Sequence, residues 1–262
     1  MNFSYTDTGL LQYGGADIYN WLQTVWGPQD LVGCLRHSLN VCMATLSTEF
    51  MGEEIFYRYM RNFGIGYPTG VDMQGEVSGF LKTPKEGYWH PSDLAVNSFG
   101  QGLTATPLQM AAAISALANE GEIMIPHVVK SIAQNGYQVE IEPRVVSKPI
   151  RAETARQVTE LMAQALEIEA SEALVPGYRL AGKTGTGQIP TIGGYEEYET
   201  NTSFVGFGPV DDPRFVVYIW FERPKTSIWA SEVVPEVFAD LVQRLVVCLV
   251  ASHARVSMWH QV

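Results

Sequence analysis

Apolar residues recur at helical spacing in some stretches of the chain and alternate in others, and this pattern sets the expected elements. From about Gln29 to Phe63, Val41, Met43, Ala44 and Leu46, then Ile55, Phe56, Tyr59, Met60 and Phe63, predict helices broken near Ser38-Leu39-Asn40 and again near Gly52. Gly64 and Gly66 close that segment, as glycines commonly close helices. Thr106-Pro107 supplies a cap residue and a first-turn proline for a helix through Leu108, Ala111, Ala112, Ile114, Ser115 and Leu117 to Gly121. A further helix is predicted from about Glu153 to Glu169, with Val158, Leu161, Met162, Ala165 and Leu166 on one side. A last one starts at Pro235 and is apolar at Val237, Phe238, Leu241, Val242, Leu245, Val246 and Leu249.

The strand-like runs His127 to Ala133 and Tyr137 to Ile141 flank Asn135-Gly136, the strongest short hairpin signal. Three more candidates follow at Arg179 to Gly187, Thr202 to Pro209 and Arg214 to Phe221, the last two joined by the turn-like Asp211-Asp212-Pro213. Short connections imply antiparallel pairing, so the expected class is α+β, an antiparallel β-sheet covered by helices. Residues 1–25 read as an extended, Gly-rich opening segment and 251–262 as a disordered tail. Residues 67–104, rich in Gly and Pro, read as a long loop of the kind a compact domain keeps for a function. With no repeat and no low-complexity linker, a single domain over 1–262 is expected.

Composition narrows the function. The 262 residues are 46% hydrophobic and 11% aromatic, enough for a substantial core. Seventeen Lys+Arg against 28 Asp+Glu leave a net charge of -11, which disfavours nucleic acid and anionic lipid surfaces as partners. Three cysteines, Cys34, Cys42 and Cys248, are an odd number without a C-x-x-C pair, so neither a disulfide framework nor a zinc site is predicted and each is expected as a small buried hydrophobe. The five histidines show no metal-ligand spacing; no metal and no cofactor is predicted. No signal peptide and no membrane span is recognised, Leu245 to Ala251 being too short.

The sharpest local signal is Leu180-Ala181-Gly182-Lys183-Thr184-Gly185-Thr186-Gly187, a Lys-Thr-Gly-Thr run on a predicted strand. Far upstream, Ser38-Leu39-Asn40 offers an S-x-N element at a break between helices. A Lys-[Ser/Thr]-Gly tripeptide arises by chance in roughly one chain in ten of this length, so the ordered set matters more than either motif. Three longer stretches agree with it: Phe63 to Glu76, Ser98-Phe99-Gly100-Gln101-Gly102 through Thr106-Pro107-Leu108-Gln109-Met110-Ala111, and Thr202-Ser203-Phe204-Val205-Gly206-Phe207. Over roughly residues 5 to 245 the chain resembles the C-terminal portion of a penicillin-binding protein transpeptidase domain, and the Ser98 to Gly102 run is similar to a signature of class B, cell-division-type members.

That resemblance implies the fold shared with serine β-lactamases and a site on peptidoglycan stem peptides ending in D-Ala-D-Ala, with β-lactams as analogues. In the family a serine attacks the penultimate D-Ala carbonyl, D-Ala leaves, and an amine from a neighbouring stem resolves the acyl-enzyme. The implied roles are a proton-relay hydroxyl for Ser38, a substrate-backbone amide for Asn40 and a positive charge near the substrate carboxylate for Lys183. Thr184 and Thr186 would hydrogen-bond that carboxylate, Gly185 would clear space for a peptide along the strand, and the backbone N–H of Thr186 would form half of an oxyanion hole. Plainer alternatives stand beside these: Ser38 as a helix cap and Lys183 as a solvated edge charge.

One motif has no counterpart. S-x-x-K sets a lysine amine one helical turn from the nucleophilic serine, and none of the six lysines is preceded at that spacing by Ser, Thr or Cys. In the family this motif lies upstream of S-x-N with the nucleophile helix and the first strands, so a fold incomplete on its N-terminal side is expected. Three readings stay open: part of a D,D-transpeptidase inactive without its missing N-terminal half, a non-catalytic module for stem peptides or division proteins, and a Ser-Lys hydrolase built on Ser38 and Lys183. The family acts outside the cytoplasmic membrane.

Overall fold

A computed structural model of the chain describes residues 3–259, Leu22 and Gly193 excepted. Contacts divide it into two compact units, Met1–Ala165 and Leu166–Val262. The boundary falls inside one continuous helix, Ala152–Glu169.

The first unit opens with strands β1 (Tyr5–Asp7), β2 (Leu10–Tyr13), β3 (Ala16–Tyr19) and β4 (Gly27–Gln29). β2 and β3 form a hairpin around Gly14-Gly15, and β1 pairs antiparallel with β4. The extended opening segment therefore contains three short paired strands. Helices α1 (Leu31–Arg36) and α2 (Asn40–Thr45) follow, separated at the predicted break. A π-helical turn at Leu46–Met51 continues α2 and ends at Gly52, whose φ of 73° begins α3 (Gly52–Asn62). Ile18, Val41, Ala44 and Ala95 form one small core, and Phe56, Tyr57 and Leu94 another.

The long stretch expected as loop contains a further helix, α4 (Pro91–Asn97), started by His90 as cap, with Pro91 in the first turn and Asp93 returning a bond to the His90 N–H. Helix α5 (Pro107–Ala118) starts with a reciprocal box in which Thr106 Oγ1 accepts from the Gln109 N–H and Gln109 Oε1 accepts from the Thr106 N–H. The same Gln109, 2% exposed, donates from Nε2 to the carbonyls of Tyr67 and Ser78, both at 2.6 Å. One buried amide thus ties the loop to the helix that follows it, which explains how so Gly-rich a segment is ordered. Short β5 (Ile123–Met124), the hairpin β6 (Ser131–Gln134) and β7 (Tyr137–Glu140), and β8 (Val145–Ser147) lead to α6 (Ala152–Glu169), which crosses the boundary. The hairpin turns at Asn135 and Gly136, both at positive φ as its sequence predicts.

The second unit is one sheet packed on one long helix. Strands β9 (Ala181–Thr191), β10 (Gly194–Gly208) and β11 (Phe215–Glu222) form an antiparallel sheet in the order β11-β10-β9, longer than the predicted runs because β9 and β10 continue into an extended hairpin. After a short helix α7 (Ala230–Val233), helix α8 (Pro235–Trp259) lies on the sheet through Phe238, Val242 and Val246, with Leu166, Leu180, Phe204 and Val234 in the same core. The rings of Phe204 and Phe238 stand 4.5 Å apart. Gly206 makes that contact possible, because a Cβ there would stand 2.5 Å from Phe238 Cζ. α8 runs into the stretch expected as a disordered tail; of that stretch, residues 260–262 lie outside the described residues.

Candidate active site

In the first unit the S-x-N element is the turn between α1 and α2. The Ser38 N–H donates to Leu35 O at 3.2 Å and the Leu39 N–H to Cys34 O at 3.0 Å, closing α1. Ser38 is exposed and stands at φ 50°, in the left-handed region that a non-glycine residue adopts at a cost. Fully buried Leu39 plugs the core beneath it, so the side chains on either side face outward. Asn40 is the first residue of α2 and donates from Nδ2 to Tyr19 O at 3.0 Å.

Cys34 and Cys42, both fully buried, form a disulfide that brackets this turn, with their Cα atoms 6.0 Å apart. This corrects the expectation of three small buried hydrophobes: two of the cysteines are paired, and Cys248 is exposed. An odd count hid the pair. Ser38 does not cap α2. The cap residue is Leu39, which has no side-chain acceptor, and the buried Val41 N–H is taken instead by Asn20 Oδ1 at 3.2 Å.

In the second unit the Lys-Thr-Gly-Thr run lies on β9, at the edge of the sheet, paired residue by residue with β10: Lys183 with Val205, Thr184 with Phe204, Gly185 with Ser203 and Thr186 with Thr202. Lys183 is part-buried and donates from Nζ to the carbonyl and hydroxyl of Thr184 at 3.1 and 3.3 Å. Burial pulls its amine down to about 8, a shift that the nearby charge of Glu169 partly opposes. Thr184 accepts from the amine, so its own hydroxyl proton remains to be donated. Thr186 is exposed and accepts from the Ala230 N–H at 3.1 Å, which anchors its side chain to the start of α7. A Cβ on Gly185 would stand 2.7 Å from Ser203 Oγ, so the bare α-carbon is needed for strand pairing as well as for clearance.

Each unit therefore gathers its own part of the predicted set, Ser38 and Asn40 in the first and Lys183, Thr184, Gly185 and Thr186 in the second. Among the described residues, no helix is long and apolar enough to cross a membrane.

Comparison with known proteins decides what this set belongs to. The family model for the penicillin binding protein transpeptidase domain matches residues 1–243. The chain belongs to this family. Among curated relatives it is 34% identical over 228 residues to stage V sporulation protein D of Bacillus subtilis, covering 86% of this chain and 35% of that protein. It is also 34% identical over 231 residues to penicillin-binding protein PbpB of Mycolicibacterium smegmatis, with 84% and 35% covered. The transpeptidase-domain chain thus spans about a third of the length of these class B relatives. In structure it is similar to penicillin binding protein 3 of Mycobacterium tuberculosis, solved with aztreonam, at a TM-score of 0.84, 28% identity and 93% of this chain against 56% of that one. The α+β architecture is that of the penicillin-binding protein transpeptidase domains, among them the apo domain of Burkholderia pseudomallei penicillin-binding protein 3.

Proposed function

We propose that this chain carries the substrate-recognition part of a peptidoglycan D,D-transpeptidase and forms no acyl-enzyme by itself. The observation that carries the proposal is the Lys-Thr-Gly-Thr run on an edge strand, with a part-buried lysine bonded to the Thr184 hydroxyl and a second threonine, Thr186, two residues beyond it. Lys183, Thr184 and Thr186 take the terminal carboxylate of a D-Ala-D-Ala stem peptide as charge-assisted and hydroxyl hydrogen bonds. The open edge of β9 takes the peptide backbone as an added strand, and the Thr186 N–H faces the carbonyl oxygen on which charge develops. In the first unit, Ser38 offers the hydroxyl and Asn40 the amide that the family resemblance assigns to the proton relay and the substrate backbone.

Acylation draws on a serine nucleophile that these 262 residues do not supply in an S-x-x-K setting. β-Lactams, which a solved relative binds as aztreonam and ampicillin, act here as reversible analogues of the peptide. The Cys34–Cys42 disulfide supports work in an oxidising compartment, outside the cytoplasmic membrane. A second reading, a binding module that never takes part in cross-linking, is favoured by the same missing motif and uses the same strand.

Titration of the isotope-labelled chain with diacetyl-L-Lys-D-Ala-D-Ala, followed by amide chemical shifts, tests this recognition. Saturable shifts are expected at Lys183 to Thr186, with the L-Ala-L-Ala isomer at least tenfold weaker. Equal response to both isomers, or none, would remove the proposal.

A further inference from the structure

The S-x-N turn is held from outside by a buried polar relay that no motif of the chain announces. Asp7, at the end of β1 and 1% exposed, accepts from Tyr5 OH at 3.0 Å, from the Trp26 N–H at 2.9 Å and from Asn20 Nδ2 on both oxygens, at 3.0 and 2.9 Å. Asn20, 2% exposed, follows β3 directly; its Nδ2 also reaches Thr24 O at 3.3 Å, and its Oδ1 takes the Val41 N–H. The Asp7 carboxylate is a pure acceptor, so it dictates which way the Asn20 amide faces: nitrogen toward the charge, oxygen toward the helix.

The peptide unit that carries Asn20 therefore grips the motif twice. Tyr19 O holds the Asn40 carboxamide, and one residue later the Asn20 side chain holds the first turn of α2 behind it. A fully buried carboxylate-amide pair is a costly way to fill space, and apolar groups of the same volume would serve stability as well or better. What the pair provides is direction. The Asn40 carboxamide is fixed through one N–H, which leaves its oxygen and second N–H for a ligand, while the turn holds Ser38 at positive φ.

We propose that Asn20, braced by Asp7, is the positioning residue of the Ser38-x-Asn40 element. The proposal rests on the reading that Asn40 faces the stem peptide. Its test has readouts that need no peptide, so the two can fail separately.

In the isotope-labelled chain, Asn20→Ala is expected to speed hydrogen exchange of the Val41 amide at least tenfold and to lower the order parameter of the Asn40 carboxamide, while amides of β9 and β10 keep their protection. Exchanging the pair, Asp7→Asn with Asn20→Asp, restores a large part of both signals, since a carboxylate at 20 accepts from Val41 and from the new amide at 7 and loses only the long bond to Thr24 O. Unchanged Val41 and Asn40 signals in Asn20→Ala, or a folded exchange variant without rescue, would overturn the proposal. Should Asn20→Ala fail to fold, the wild-type chain decides: the Asn20 amide protons must exchange far more slowly than those of an exposed carboxamide. In the peptide titration, affinity falls with Asn20→Ala and returns in the exchange variant. Undiminished affinity despite lost Val41 protection would reduce Asn20 to a structural residue.

Discussion

Lys183→Met is expected to weaken binding of the D-Ala-D-Ala peptide by about 10- to 100-fold, the worth of one charge-assisted hydrogen bond of about 1.5–3 kcal/mol. Methionine keeps most of the apolar stem and removes the charge, so β9 should still pair with β10. The pH dependence separates charge from packing. A carboxylate binds the protonated amine, and the free chain loses that proton as pH rises through about 8. Affinity should therefore be level below about pH 7 and fall by up to about tenfold per pH unit above 8, while the methionine variant stays flat. Stability moves the other way. The folded amine lies below its ordinary 10.5, so the unfolded chain binds more protons between about 8 and 10.5. Stability should rise with pH across that window and carry the full burial penalty below it. Calorimetric titration at several pH values reads the first effect and urea unfolding the second; a pH-independent affinity would remove Lys183 from the carboxylate site.

The second large effect is expected at the disulfide. Cys34 and Cys42 are 8 residues apart in sequence, and freeing so short a loop in the unfolded chain should cost about 2.5 kcal/mol. Cys34→Ala with Cys42→Ala is preferable to serine, because both sites are fully buried and a hydroxyl there would lack a partner. Urea unfolding should show an earlier transition in the first unit, read by the Trp26 ring that stacks on His37 at 3.7 Å, and wild-type chain under reductant should shift likewise. A variant as stable as the oxidised wild type would mean that the crosslink restrains nothing.

Local pattern reaches some of this molecule and stops at the rest. Helices α5, α6 and α8 were legible because each is long enough for the 3.6-residue period to repeat. α4 was not, having seven residues and a histidine where a cap of Ser, Thr, Asp or Asn signals a start. The opening strands lacked a signal because pairing such as Tyr5 with Gln29 depends on residues far apart in the chain. The same distinction divides the site. Lys183 to Thr186 form one contiguous run, so type and order sufficed to single out the run and its strand. Asn20 acts on Val41 across 21 residues, and the Cys34–Cys42 bond depends on α1 and α2 folding back on each other. Neither the relay nor the crosslink is written in a spacing.

The central claim, recognition without acylation, is tested most directly by exposing the chain to an excess of fluorescent penicillin and recording its intact mass. The account predicts the unmodified mass and no covalent label at any time point. A mass increased by one penicilloyl group, mapped to Ser38 by fragmentation, would contradict it.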